Sequence, residues 1–291
     1  MPNEALNFSN IAFAVTSLID RAPHWTMIRE LSMNAIEAAA QASGEKIVHW
    51  TTGNYKGVRK AVIWNTGPGM SARELKAATH LACEVTKRLG LDENFGVGAK
   101  VSSLANNKLG MRFRSCKASR VSEVMLGYDP QKKEYVRFEY ELENDVSATV
   151  IDVTATTVKE GKRVDFDWTE VMLLGNSEGQ DTAARPLANV STERTYVATA
   201  LYRRFYRLPE GVRIRLDPVY QRHSETRSLI TIGQRADKFS RVETVVVPEL
   251  SLRIHFLHDP PVGDRSGLRM SSSNARMSNC WVLLRRHFSL P

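Results

Sequence analysis

The sequence predicts an α+β fold, with helices gathered on one face of a mixed, mostly antiparallel sheet and a smaller α+β segment after it. Three observations predict it. Helical spacing of apolar residues is concentrated near the N-terminus, over Ile11 to Ile19 and from Trp25 to roughly Ala42. From Met111 a train of short β-rich runs follows without the strand–helix–strand alternation of a parallel sheet. A length of 291 residues, 42 % hydrophobic and 25 % charged, suits one large globular domain or two modest ones.

In chain order, "ASGE" ends the second helix, with Gly44 close to a helix-stopping position. "KIVHWTT" and "RKAVIWN" read as strands joined through "GNYKG", a hairpin. "SARELKAATHLA" reads as a helix, with Ser71 as its cap and Glu74 at the capping-box spacing. The runs "MRFRSC", "SEVMLGY", "EYVRFEYEL", "ATVIDVTA" and "TEVMLLG" read as successive strands. The polar stretch from Gly175 to Asn189 is the expected boundary between a first domain, 1–180, and a second segment, 190–291. That segment holds a helix, "TERTYVATALYRRFYRLP", and strands such as "VRIRL", "ETVVV" and "LRIHFL".

Charge is uneven along the chain. The net charge is +8, yet residues 185–291 contain 17 Arg and 1 Lys against 9 acids, so the excess lies in the last third. Guanidinium groups pair with phosphate, on nucleic acid or on nucleotide, which makes DNA a partner class for this region, beside the alternative of a solvated basic face. The chain has no run of about 18 apolar residues and no basic-then-apolar start, so a membrane span and a secretory signal are not expected, and the cytoplasm is the expected compartment. Cys83, Cys116 and Cys280 are too far apart for a metal-ligand pattern and read as reduced structural thiols.

Three stretches carry chemistry. "RELSMNAIEAA" puts Glu30 and Asn34 four apart on a helix, hence on one face. A carboxylate there can orient water as a general base, and an amide oxygen can ligate Mg²⁺. "VIWNTGPGMS" ends an apolar strand in Asn65, Gly67, Gly69 and Met70, a turn whose glycines allow backbone to pass close to a flat ligand. "ENFGVGAKVSSL" places Asn94, Gly96 and Gly98 before Lys100, where exposed backbone N–H groups and an ammonium suit an anion. It is not a P-loop, because Lys100 precedes Val101 rather than Ser or Thr. Nor does it fit the dinucleotide fingerprint, whose third glycine position is Val101.

In this order the three motifs resemble the GHKL ATPase superfamily, and the wording "NFGVGAK" is most similar to its MORC and prokaryotic MORC-like group. The resemblance implies a Bergerat-type two-layer α/β sandwich that binds ATP and Mg²⁺ under a lid of about Leu81 to Asn94. Carried over by motif position, it implies Glu30 as the base that activates water and Asn34 as the Mg²⁺ ligand. Asn65, Gly67, Gly69 and Met70 would form the adenine pocket, and Asn94, Gly96, Gly98 and Lys100 the phosphate grip. A late-strand threonine near the phosphates would be Thr169, with Thr149 as its competitor.

The implied activity is slow ATP hydrolysis coupled to conformational change or to nucleotide-dependent pairing of two copies. A non-hydrolysing ATP-binding module and a protein chaperone are the alternatives. Hydrolysis is expected over phosphotransfer, since histidine kinases lack the water-activating glutamate and need a phosphoacceptor helix, whereas His24 is the sole histidine before Glu30. One departure stands out: the superfamily has Asp where this chain has Asn65. An amide accepts a hydrogen bond without charge, so reduced discrimination against guanine is expected.

Within 190–291 the resemblance implies a transducer-like segment, in which Lys238 is the lysine candidate for sensing the γ-phosphate. His255 and His258 are three apart on a predicted strand and face opposite sides, which argues against a shared metal. Val197, Leu201, Phe205 and Leu208 fall at helical spacing, so "LYRRFYR" reads as a core face with solvated arginines rather than a stacking platform for nucleic acid.

Overall fold

The computed structural model describes residues 11–80, 98–142, 146–187, 190–234, 241–250, 252–258 and 280–286. The lid stretch and Asn94, Gly96 and Lys238 lie outside these residues.

The two N-terminal helices are α1 (Ile11–Asp20) and α2 (Met27–Ala40). Between them runs a single 3₁₀ turn, His24–Thr26. The hairpin forms as β1 (Ile47–Tyr55) and β2 (Val58–Thr66), with Tyr55 paired to Val58. The two-residue turn holds Lys56 at φ 51° and Gly57 at φ 81°, the left-handed pair that matches strand twist. Helix α3 (Ala72–Ala78) begins on Ser71, whose hydroxyl accepts from Glu74 N while the Glu74 carboxylate accepts from Ser71 N. Both halves of the expected capping box are present.

Glu74 also receives Lys117 Nζ at 2.8 Å. This bond, with the bonds from Ser71, pulls its carboxyl down to about 2 from an ordinary 4.5. A carboxylate whose folded-state value is depressed stabilises the fold above its unfolded value and loses that contribution as pH falls toward the folded one. Urea midpoints are therefore expected to drop between about pH 4.5 and 2, with a shallower drop in Glu74→Gln.

Helix α4 (Gly98–Leu104) precedes the strand-rich region, β3 (Met111–Lys117), β4 (Arg120–Asp129) and β5 (Glu134–Arg137). Here two expectations are corrected. "EYVRFEYEL" is not one strand: after β5 the chain leaves the main sheet and forms a separate pair, β6 (Tyr140–Glu141) with β7 (Ser147–Ala148). "ATVIDVTA" yields only β7 and β8 (Ile151–Asp152) before turning into α5 (Thr154–Lys159). The Asp152 carboxylate accepts Thr154 N, a local bond that starts the helix in a β-branched stretch.

With β9 (Trp168–Leu173), β10 (Arg213–Leu216) and β11 (Arg227–Ser228), the main sheet has the order β11-β10-β1-β2-β9-β3-β4-β5, and β8 pairs with β4. The β1–β10 pairing is parallel and the others are antiparallel, so the sheet is mixed and mostly antiparallel as expected.

The residues paired across β2, β9, β3 and β4 sort the sheet into two faces. Trp50, Ile63, Val171 and Val124 belong to the face under the helices, where Trp50 Nε1 donates to Ser32 Oγ of α2 at 3.0 Å. On the opposite face Trp168, Cys116, Val121 and Val153 form an apolar cluster. Beside it lie buried charges. Arg114 donates to Glu123 at 2.5 Å and to Glu160 at 2.6 Å, and Lys162 donates to Glu170 at 2.5 Å. Pairing satisfies charges that burial would otherwise make costly, and it straps the α5 segment to the sheet.

The described residues of the polar stretch from Gly175 fall within one compact unit. One compact unit comprises residues 1–201 and 208–229, and the other 202–207 and 230–291. The polar stretch stays in the first unit because Lys60, 1 % exposed, donates to the carbonyls of Leu174, Glu178 and Gln180 at 2.8, 3.2 and 2.7 Å. Thr182 Oγ1 meanwhile accepts from Ala61 N and donates to Leu173 O. The chain beyond it returns to the sheet as β10, which pairs with β1 from Ile47 to Trp50.

Helix α6 (Tyr196–Arg204) buries Val197 and Leu201 and exposes Arg203 and Arg204, as its spacing predicted. In the second unit β12 (Arg241–Val247), β13 (Leu252–His258) and β14 (Cys280–Arg286) form an antiparallel sheet. His255 and His258 both lie on β13, three apart. Among the described residues no helix is long and apolar enough to cross a membrane.

Candidate functional site

Helix α2 is the spine of the site. Its buried stripe, including Ile28, Leu31, Ala35 and Ala39, faces the core, which turns Glu30, Asn34 and Ala38, one helical turn apart, along an adjacent line. Two glycine motifs meet that line at its two ends.

At the first end Glu30 is only 4 % exposed. Its Oε1 accepts from Arg29 Nε at 2.6 Å, while Oε2 is buried with no hydrogen-bond partner among the described residues. A Cβ on Gly98 would stand 2.5 Å from that Oε2, so glycine allows α4 to begin against the carboxylate. A buried, unpaired carboxylate oxygen costs free energy unless water or a ligand donates to it. Asn34, one turn on, is exposed.

At the other end the chain leaves β2 and crosses α2 at Ala38. A Cβ on Gly67 would come within 2.8 Å of the Ala38 carbonyl oxygen. Gly69, at φ 58°, is in the left-handed region and lies so close to the Cys116 carbonyl that a side chain would collide with it. Met70 N donates to Ser115 Oγ at 2.8 Å, and Ser115 Oγ lies 2.8 Å from Thr169 Oγ1. Asn65, Thr169 and Ser115 are direct cross-strand partners, so all three point toward the helical side.

The structure thus brings Asn65, Gly67, Gly69, Met70 and Thr169 together and places Glu30 and Asn34 on α2, with Gly98 of α4 against Glu30. Thr149 is elsewhere, on a groove beside α3. Lys100, 4 % exposed, donates to Ala78 O at 2.7 Å and also to His80 O, so its ammonium sits on the carbonyl end of α3. Asn65 Nδ2 donates to Thr66 O at 2.9 Å. With the NH₂ engaged, Oδ1 is the acceptor that remains for a ligand.

Sequence reasoning missed Ser115, Arg29 and Ala38. Ser115 had one signal: a hydroxyl at a strand position where the alternation of Met111 and Phe113 calls for an apolar residue. Arg29 and Ala38 had none, since their roles follow from side-chain direction and from a close approach distant in sequence.

Among the described residues no group of three or more His, Cys, Asp or Glu is placed to hold a metal. A Mg²⁺ ion here would depend on the amide oxygen of Asn34 together with phosphate oxygens, a donor set Mg²⁺ accepts because it keeps few protein ligands.

No protein-family model matches the chain. No curated protein matches it. Among solved structures, it is similar to the crystal structure of the 43K ATPase domain of Thermus thermophilus gyrase B in complex with an aminocoumarin, at 13 % identity and a TM-score of 0.42. The alignment covers 80 % of this chain and 56 % of that one, so the chain spans a little over half the length of that structure.

Proposed function

We propose that the chain is a Mg²⁺-dependent ATP-binding protein of GHKL type, nearest the MORC-like group, that hydrolyses ATP slowly and couples turnover to conformational change or to pairing of two copies. The observation that supports it most is the α2 line. A buried carboxylate with one unpartnered oxygen lies against Gly98, an exposed amide stands one turn on, and a glycine turn crosses one turn beyond.

In this reading the free Oε2 of Glu30 takes a proton from the attacking water, and burial keeps bulk water from competing for it. Asn34 offers its amide oxygen to Mg²⁺, which supplies neutralisation of phosphate charge. Asn65 Oδ1 accepts from the adenine amino group, and Met70 gives an apolar wall. Thr169 and Lys100 serve the phosphates, Lys100 by leaving the α3 carbonyls it now caps. Titration of the chain with ATP, with and without Mg²⁺, beside phosphate release tests this; absence of ATP binding would overturn it.

One observation favours a second reading, a module that binds ATP without meaningful turnover. Arg29 holds Glu30 Oε1 in an ion pair, so one oxygen of the carboxylate is already committed to a cation of the chain itself. Turnover separates the two readings.

The partner proposed is duplex DNA. Its support is the arginine content of the β10–β11 end of the sheet, where Arg213 and Arg215 are exposed on one face of β10 and Arg222 and Arg227 are exposed in the chain that follows. The phosphate-release assay, repeated with DNA at rising salt, addresses that reading, since binding by phosphate neutralisation weakens steeply with salt.

Asn65 predicts a measurable nucleotide preference. Its Oδ1 suits the amino group of adenine and faces the carbonyl of guanine unfavourably, so ATP is expected to bind more tightly than GTP. Asn65→Asp adds charge to that bond, and an ATP gain of about tenfold is expected. Competition titrations check it; equal ATP-to-GTP ratios in the two proteins would sink the assignment.

A further inference from the structure

An open groove of about 490 Å³ between α3 and residues 139 and 147–150 is lined by none of the residues just assigned to ATP. Its walls include Arg73 and Lys76 on one side and Glu139, Ser147 and Thr149 on the other, with Ala72 and Ala148 also lining it. Arg73 and Lys76 are three apart on α3 and both exposed, so the two cations share one helix face. Neither side chain has a hydrogen bond or ion pair among the described residues. Ser71 and Glu74 already cap the N-terminus of α3.

The surroundings reinforce the positive charge. Arg137 donates to the Lys76 carbonyl at 3.1 Å, yet its Nε is buried with no acceptor among the described residues. Burial pushes the His80 imidazole below its ordinary value, and the charges of Arg137, Lys100 and Lys76 push it further in the same direction. The one carboxylate of the groove, Glu139, accepts Ser147 Oγ at 3.1 Å, which leaves the Thr149 hydroxyl as the groove's neutral donor. Two like charges held on one helix face repel, and a ligand of opposite charge removes the penalty.

We propose that this groove binds a small multiply charged anion, a phosphate or carboxylate species, at a site separate from the candidate nucleotide pocket. Arg73 offers a bidentate fork, Lys76 a point charge one turn along, and Thr149 a hydroxyl from the facing wall. The volume is in the range of small-ligand sites, though the groove is open, so affinity in the range of about 1 mM or tighter is expected.

Alanine-methyl NMR of the whole chain reads both sites at once, because Ala72 and Ala148 line the groove while Ala38 and Ala99 stand beside the candidate nucleotide residues. Inorganic pyrophosphate is expected to shift Ala72 and Ala148, and succinate in a parallel titration shows whether carboxylates share the site. In Arg73→Gln/Lys76→Gln the affinity is expected to fall at least about tenfold, while Arg73→Lys/Lys76→Arg keeps it. Unmoved Ala38 and Ala99 signals report that both variants fold. Glu30→Gln is expected to leave pyrophosphate binding at the groove intact, whatever becomes of ATP binding. Shifts confined to Ala38 and Ala99, unaltered affinity in the double-Gln variant, or no shift with either anion would overturn the proposal.

Discussion

Glu30→Gln is expected to lower the rate of phosphate release by about 10²–10⁴-fold while leaving ATP affinity within about threefold. The amide has the shape of the carboxylate, so it keeps the packing against Gly98 that a larger or smaller residue would disturb. What it loses is the capacity of Oε2 to take a proton. The Arg29 ion pair at Oε1 goes too, and that loss serves as an internal control. Arg29→Ala removes the same pair but keeps the base, so it should retain turnover. Single-turnover phosphate release with a parallel binding titration distinguishes the outcomes. An unchanged rate in Glu30→Gln removes Glu30 as the base, and ATP binding with equally negligible release in both proteins selects the non-hydrolysing module.

Lys60→Met is expected to destabilise the first unit by about 2–4 kcal/mol, read as a lower urea midpoint. The ammonium is almost wholly buried and satisfies three backbone carbonyls of the 174–180 stretch. Burial lowers the pKa of the amine, so the group is held charged at some cost and by those acceptors. A methionine fills similar space but leaves the carbonyls without a donor. The neighbouring Arg59 makes the contrast: it pairs with Asp181 at 2.6 Å, but its side chain is 49 % exposed. Screening by solvent limits Arg59→Ala to about 1 kcal/mol or less. A Lys60→Met midpoint equal to that of Arg59→Ala would show that the loop is held by something other than the buried ammonium.

The two substitutions mark different kinds of legibility. Glu30 could be found in the sequence because a four-residue helical spacing is a local quantity, and so could the hairpin turn and the Ser71–Glu74 capping box. Lys60 could not. In "GVRKAVIWN" it is one basic residue in a β-rich run, and its three acceptors lie more than a hundred residues further on. The same distance explains why polar residues from Gly175 onward look like a linker until the groups that receive their backbone are known.

By itself the sequence determined the α+β class, the order of most elements, the helix that carries Glu30 and Asn34, and the turn through Gly67 and Gly69. All of these are written in spacings of a few residues, where backbone geometry leaves few choices. Only the tertiary structure decided that β10 joins β1 in parallel, that Thr169 and Ser115 stand beside Asn65, and that Gly98 closes on the Glu30 carboxylate. It also decided that arginines in the alternating run "MRFRSC" belong to a buried charge network rather than to a solvated face. Pairing register and side-chain burial are set by contacts between segments far apart in the chain, and no local spacing encodes which distant segment will supply the partner.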